Sequence, residues 1–422
     1  MKKDLIFEKI DPSKQFKTAL EETLREGARR LLQQAVENEV QEFLDTSVEL
    51  RTGDGRRRII RNGYLPERSF QTGIGRIPLK QPRVRDKGRE RKFISSILPP
   101  YLRRAPGVDA VVSALYLKGI STNSFPEALE ALLGENAKGL SPTNILRLKS
   151  GWEEEYKEWA KRDLSGKQYV YLWADGIYFN VRLEEDRPCL LVLIGALTDG
   201  RKEIVSVYDG HRESKVSWAE VLSDLKRRGL SVAPSLAIGD GALGFWAALE
   251  EVFPGTKTQR CWVHKTMNVL DKMSKSVQKH AKAMMHEMYM AATKEGALKA
   301  FDAFLSLYEA KYPKACECLK KDKDVLFTFY DFPAAHWQHI RTSNPIESTF
   351  ATVRHRTRQT KGCGSRLATL TMVFKLATAA QKHWKRLSGH QLIENVVKGV
   401  KFKNGEKEIG RASCRERVCL YV

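Results

Sequence analysis

The chain has 422 residues, 42% of them hydrophobic, with seven cysteines and a formal net charge of +21. That length allows two or three domains with real cores. No apolar run nears the ~20 residues of a membrane span, the start lacks the ~7–15-residue apolar core of a secretion signal, and irregularly spaced cysteines make no disulfide framework, so a cytoplasmic protein is expected.

In chain order, residues 1–50 hold one amphipathic helix over 15–45. Phe16, Leu20, Leu24, Leu31, Leu32, Val36, Val40 and Phe43 recur at three- and four-residue steps, a stripe that suits either internal packing or a dimer contact. Region 51–105 reads as short β-prone runs (58–61, 69–72 and 75–79) with basic and apolar residues alternating. Between Arg51 and Arg104 there are 16 Lys/Arg against 4 Asp/Glu. Region 106–165 turns helical, with breaks at Gly119-Ile-Ser121 and Gly134 and a capped third helix opening at Ser141-Pro142. Short helices on Gly-containing turns fit a helix-turn-helix that presents Asn144, Arg147 and Lys149 to a DNA groove, or an ordinary three-helix packing unit.

From 166 to 264 the pattern is α/β. Strands are expected at 168–174, 177–182, 189–197 and 203–208, then a helix at 217–228, a strand at 235–239, a helix at 243–252 and a strand at 257–263. An antiparallel meander followed by alternating helices and strands predicts a mixed sheet. Residues 265–336 read as an all-helical insertion, and 337–405 complete the core. A second basic block runs from Ser348 to Ile393, with 9 Lys/Arg and no acid. Two such blocks favour phosphate contact over a solvated face or an anionic membrane. The segment from 406 to 422, with Glu408-Ile-Gly-Arg-Ala-Ser-Cys-Arg-Glu-Arg-Val418, looks like a translated sequencing adapter and is expected to be non-native.

Three acids stand out. Asp175 follows the apolar run Val170-Tyr-Leu-Trp-Ala174, and Asp240 ends Ser235-Leu-Ala-Ile-Gly239 and turns on Gly241 into a helix. Glu347, in Thr342-Ser-Asn-Pro-Ile-Glu347, starts a helix. Acids at the carboxyl edge of a sheet lie where α/β folds hold ligands. Three carboxylates form an oxygen-only donor set for Mg²⁺ or Mn²⁺, and two such ions suit phosphodiester chemistry. Singly, each acid has an ordinary alternative: a hairpin turn at Asp175-Gly176, a helix cap at Asp240, and a capping box at Glu347.

Taken together, the words Asp175-Gly-Ile-Tyr178, Gly239-Asp-Gly-Ala-Leu-Gly-Phe-Trp246, Arg260-Cys-Trp-Val-His-Lys265 and Ser343-Asn-Pro-Ile-Glu-Ser348 resemble the Mutator-type bacterial insertion-sequence transposases, over about residues 15–405. The resemblance implies a ribonuclease-H-like catalytic core of α/β class with a helical insertion, N-terminal DNA binding, and a metal-binding triad at Asp175, Asp240 and Glu347. The activity implied is binding of element ends in double-stranded DNA, strand cleavage by water, and attack of the freed 3′-hydroxyl on new DNA, by a homo-oligomer. A non-catalytic DNA-binding regulator and a plain metal nuclease are the alternatives. Cys261 and His264 match the family's Cys-x-x-His pair. Zinc there needs further ligands, and Cys316 and Cys318 would have to fold back; a buried cysteine bonded to a histidine beside the acids is the other reading. Arg354, Arg356, Arg358 and Lys361, beyond Glu347, suit phosphate contact or ordinary salt bridges. Trp246 and Trp262 read as core residues, with base stacking as the alternative.

Overall fold

The computed structural model describes residues 12–100, 142–179, 189–210, 212–359 and 365–408, with single positions between 102 and 117. The chain divides into two units, Met1–Leu148 and Lys149–Val422.

In the first unit, helix α1 (Pro12–Asp45) presents Val36, with Ala28 and Leu32 beside it, to a small core of Phe70, Ile77, Leu79 and Leu98. Its apolar stripe is only partly used, because Leu20, Leu24 and Leu31 are exposed. The basic segment forms two antiparallel pairs: β1 (Ile59–Tyr64) with β4 (Pro82–Asp86), and β2 (Arg68–Thr72) with β3 (Gly75–Leu79). Asp86 closes the first pair. It binds the Arg58 guanidinium at 2.9 Å and takes the amides of Gly88, Glu90 and Arg91, which hold its carboxyl well below the usual range.

The first two helices expected after residue 107 lie largely outside the described residues. The third is α2 (Pro142–Ala160); the side chains of Asn144 and Arg147 fall outside the described set, and Lys149 is partly buried.

The second unit is built on a five-stranded mixed sheet: β5 (Tyr169–Tyr178), β6 (Cys189–Leu197), β7 (Lys202–Gly210), β8 (Leu236–Gly239) and β9 (Lys257–Arg260), in the order β7-β6-β5-β8-β9. The first three form an antiparallel meander, and β8 and β9 run parallel to β5. This is the mixed, ribonuclease-H-like arrangement that the resemblance implies. All nine residues of β6 are buried, as strands covered on both faces must be. On one face α3 (Lys215–Arg227) and α4 (Leu243–Val252) bring Trp218, Leu222, Phe245 and Leu249 onto Leu172, Leu191 and Ala237. Each such side chain contributes about 1.5–3 kcal/mol when fully buried. On the other, Tyr171 meets Phe332 edge-on and bonds the buried His336 ring at 2.6 Å.

Two expectations need correction. The two strands expected at 168–174 and 177–182 run on as one, β5, as far as Tyr178, with 180–182 outside the described residues, and Asp175-Gly176 is not a hairpin turn, since both residues pair with β6 (Asp175↔Val192, Gly176↔Leu191). Pairing with β6 holds the glycine extended where the dipeptide alone would favour turning. The last strand ends at Arg260 rather than 263, because α5 (Trp262–Leu270) begins there.

Helices α6 (Lys275–Met290), α7 (Lys294–Tyr308) and α8 (Pro313–Lys320) follow, then α9 (Asn344–Gln359) and α10 (Arg366–Gln381). Among the described residues no strand intervenes between Arg260 and Phe402. Glu406 and Lys407, the first residues of the segment read as non-native, pair with Lys403 and Phe402.

Candidate active site

Because β6 is antiparallel to both neighbours, β5, β7 and β8 point the same way, and their carboxyl ends share one edge of the sheet. Ala174 of β5 is in register with Gly239 of β8. Asp175 and Asp240 therefore follow paired positions on adjacent strands, about 4.8 Å apart across the ladder. Asp175 is buried, 7% exposed, and accepts from the Gly176 amide at 2.9 Å. Burial, then the charges of Asp240 and Glu347, push its pKa up to about 7, against a downward pull from His264. Asp240 accepts from the Ala242 amide at 2.9 Å, so it organises the turn into α4 while Ala242 takes the cap position. Gly241 has φ +93°, and a Cβ there would fall 1.0 Å from Arg260 Nη1. The turn thus needs glycine twice, for its backbone and for the guanidinium lying against it.

Glu347 sits in the first turn of α9, where an acid faces the helix's positive end. One oxygen accepts from Ser343 Oγ at 3.1 Å and lies 3.8 Å from His264 Nδ1. The Ser343 amide donates to Cys261 Sγ at 3.3 Å, and the Ser343 hydroxyl oxygen lies 3.3 Å from the same sulfur. Burial alone would raise the Cys261 thiol, but its contacts with His264 and Ser343 bring it below the ordinary value. The hydrogen bond to Cys261 outweighs burial at His264, and with the charges of Cys261, Asp175 and Glu347 lifts the imidazole to about 9. Cys261, His264 and Glu347 offer ligand atoms within 4.8 Å of one another, a group that could hold a metal. The third member of this group among the described residues is Glu347, and neither Cys316 nor Cys318 belongs to it.

Asp175 thus lies within electrostatic reach of Asp240, Glu347 and His264, and His264 within reach of Cys261, Asp175 and Glu347; the close ligand group among the described residues takes in Cys261, His264 and Glu347 but neither aspartate. The remaining expected residues stand apart. Arg354, two turns along α9, is exposed, with its guanidinium 5.9 Å from the Phe350 ring centroid. Arg356 and Arg358 are on the same helix with side chains outside the described set, and Lys361 lies outside the described residues. Trp262 is buried and donates to the Leu326 carbonyl, and Trp246 packs on the core.

Sequence reasoning missed Glu213. It follows β7 and precedes Ser214, the cap of α3, and burial and then the charges of Asp240 and Asp175 raise its pKa to about 7. Its one sequence signal is indirect: a glycine directly after Asp175, whose missing side chain leaves the space that Glu213 fills.

Acids gathered at one edge of a mixed sheet, on a chain of charge +21, define the class: an enzyme acting on a polyanion. The profile of the Mutator family of transposases matches residues 3–387. The chain is 52% identical over 295 residues to the transposase for insertion sequence element IS6120 of Mycolicibacterium smegmatis, covering 70% of this chain and 91% of that one. It is 51% identical to the transposase for insertion sequence element IST2 of Acidithiobacillus ferrooxidans, covering 66% and 94%. A solved Drosophila P element transposase strand transfer complex overlaps with a TM-score of 0.28 at 12% identity, over 74% of this chain and 86% of that one, a likeness too distant to bear on fold or function. The chain belongs to the Mutator family of transposases. It is a DNA transposase, an enzyme of DNA strand transfer. No described helix is long and apolar enough to cross a membrane.

Proposed function

We propose that Asp175, Asp240 and Glu347 are the catalytic acids, and that they hold two divalent ions, Mg²⁺ or Mn²⁺, for cleavage and strand transfer at the ends of an insertion element. The observation carrying this reading is the parallel register that sets Asp175 beside Asp240, with Glu347 acting electrostatically on the same buried carboxyl. The donor set fits: these are carboxylate oxygens, which hard cations prefer. When bound, the ions would stabilise charge on the attacking and leaving oxygens of the phosphodiester.

The chain's own residues supply the rest. Asp175 must give up its proton to bind a cation. The Asp240 turn is held against Arg260. Ser343 orients the Glu347 carboxylate through its 3.1 Å hydrogen bond. Cys261 and His264 brace Ser343, and so act as positioning residues behind Glu347. Arg354, Arg356, Arg358 and Lys361 extend from Glu347 in a basic stretch suited to the phosphates of the bound strand, and Asn144, Arg147 and Lys149 with the basic strands β1–β4 suit recognition of double-stranded ends. Two ends must be held at once, so the working form is a homo-oligomer on DNA.

The test uses a labelled duplex carrying the element's terminal inverted repeat. With Mg²⁺ the full chain nicks the end and joins the freed 3′-hydroxyl to a target duplex; with EDTA it binds without cutting. Cutting without joining would make it a nuclease, and binding that never leads to cutting would make it a regulator.

A further inference from the structure

We propose that Glu213 is a fourth carboxylate of the divalent-cation site, an inference that rests on the metal-binding reading of Asp175 and Asp240. The strand that leads to it, β7, ends at the same sheet edge as β5 and β8, and the chain turns back so that Glu213 reaches the strand carrying Asp175. A Cβ placed on Gly176 would lie 1.7 Å from Glu213 Oε1. The carboxylate therefore occupies the space a side chain at 176 would fill, one residue from Asp175. The backbone of the same loop is seated on the other motif: a Cβ on Gly244 would lie 2.7 Å from Lys215 N and 2.8 Å from the Glu213 carbonyl oxygen. Gly244 belongs to the first turn of α4, four residues beyond Asp240.

Neither glycine has a positive φ, so backbone conformation does not call for glycine at either position. Space does. Both glycines fall within the words around the two aspartates, and each makes room for Glu213, one for its side chain and one for its backbone. Among the described residues no lysine or arginine forms an ion pair with Glu213, Asp175 or Asp240. Partly buried carboxylates crowded together are costly; His264 offsets part of that charge at Asp175 and Glu213, and bound divalent ions are charges that would balance the rest. Mg²⁺ retains several waters, so Glu213 contributes to ion affinity directly or through one of those waters.

The experiment is a Mn²⁺ titration of the full chain without DNA, with free Mn²⁺ read by electron paramagnetic resonance and folding checked by thermal melts in EDTA. Glu213→Gln is expected to weaken Mn²⁺ binding about 10–100-fold, the range for residues supporting a metal site. Gly176→Ala, which keeps the acid but displaces it, should weaken it in the same direction, and Glu213→Asp should fall between Glu213→Gln and wild type. Asp240→Asn separates the two ideas. If Asp240→Asn loses Mn²⁺ while Glu213→Gln and Glu213→Asp bind like wild type, Glu213 has no part in the site and the inference is overturned, with the metal reading intact. If Asp240→Asn also binds like wild type, the metal reading falls and takes the inference with it.

Discussion

The strands of the two units are built to opposite specifications. In β1 one residue of six is buried, and in β4 the exposed positions are Arg83 and Arg85; in β6 all nine are buried. A strand with a basic outer face does its work at its surface, whereas one covered on both faces cannot touch a substrate and serves to fix what stands at its ends. Under the proposed function, the first unit would offer a DNA-facing surface on a small core, and the second a rigid frame for carboxylates.

The sharpest way to break that contrast is at the ends of the frame. Asp175→Ala, Asp240→Ala or Glu347→Ala should each slow cleavage by about 10³-fold or more, the loss of several kcal/mol of charge stabilisation. End binding by gel shift should be nearly unchanged. A variant that nicks at the wild-type rate would remove its residue from the site.

Next comes the frame itself. Leu191→Ala, in the middle of β6, should cost about 2–5 kcal/mol in urea unfolding, and a loss under 1 kcal/mol would mean that the sheet is not the rigid element described.

The pH dependence of the metal-free protein follows from Asp175, whose folded pKa of about 7 lies above the unfolded value near 4. A raised folded pKa favours the fold while the group is protonated in both states. That stability is complete below about 4 and disappears as pH rises through about 7. In EDTA the melting temperature should drop by a few degrees on the order of what one such group supplies between pH 5 and 8, and Asp175→Asn should flatten the drop. Added Mg²⁺ should stabilise more at pH 8 than at pH 6, since binding requires the deprotonated form. A Mg²⁺ effect larger at pH 6 would contradict the assignment.

The smallest effects belong to the first unit. Arg83→Ala and Arg85→Ala should leave stability within ~0.5 kcal/mol while each lowers the salt dependence of DNA binding by about one unit of slope. An unchanged slope would show that this face does not meet phosphate.

These differences track what could be read from the residues. Asp240 was legible because an apolar run, an acid, a glycine and an amphipathic helix follow one another, and tertiary structure only has to respect that order. The Asp175-Gly176 dipeptide misled on strand length, since its local preference for turning is overridden by pairing with Val192 and Leu191. The Cys261–His264 pair was legible from its local spacing, but its meeting with Glu347 rests on Ser343 bridging segments far apart in the chain, which no local pattern encodes. Glu213 was hidden for a related reason: it sits in the polar stretch His211-Arg-Glu-Ser-Lys215, which has no periodicity, and its importance lies in the space left by glycines on two other segments.

The most direct test of the central claim is a crystal of the full chain grown with Mn²⁺, with the ions located by anomalous scattering. The account predicts peaks enclosed by Asp175, Asp240 and Glu347. A peak held by Cys261, His264 and Glu347 alone, with both aspartates free of metal, would contradict it.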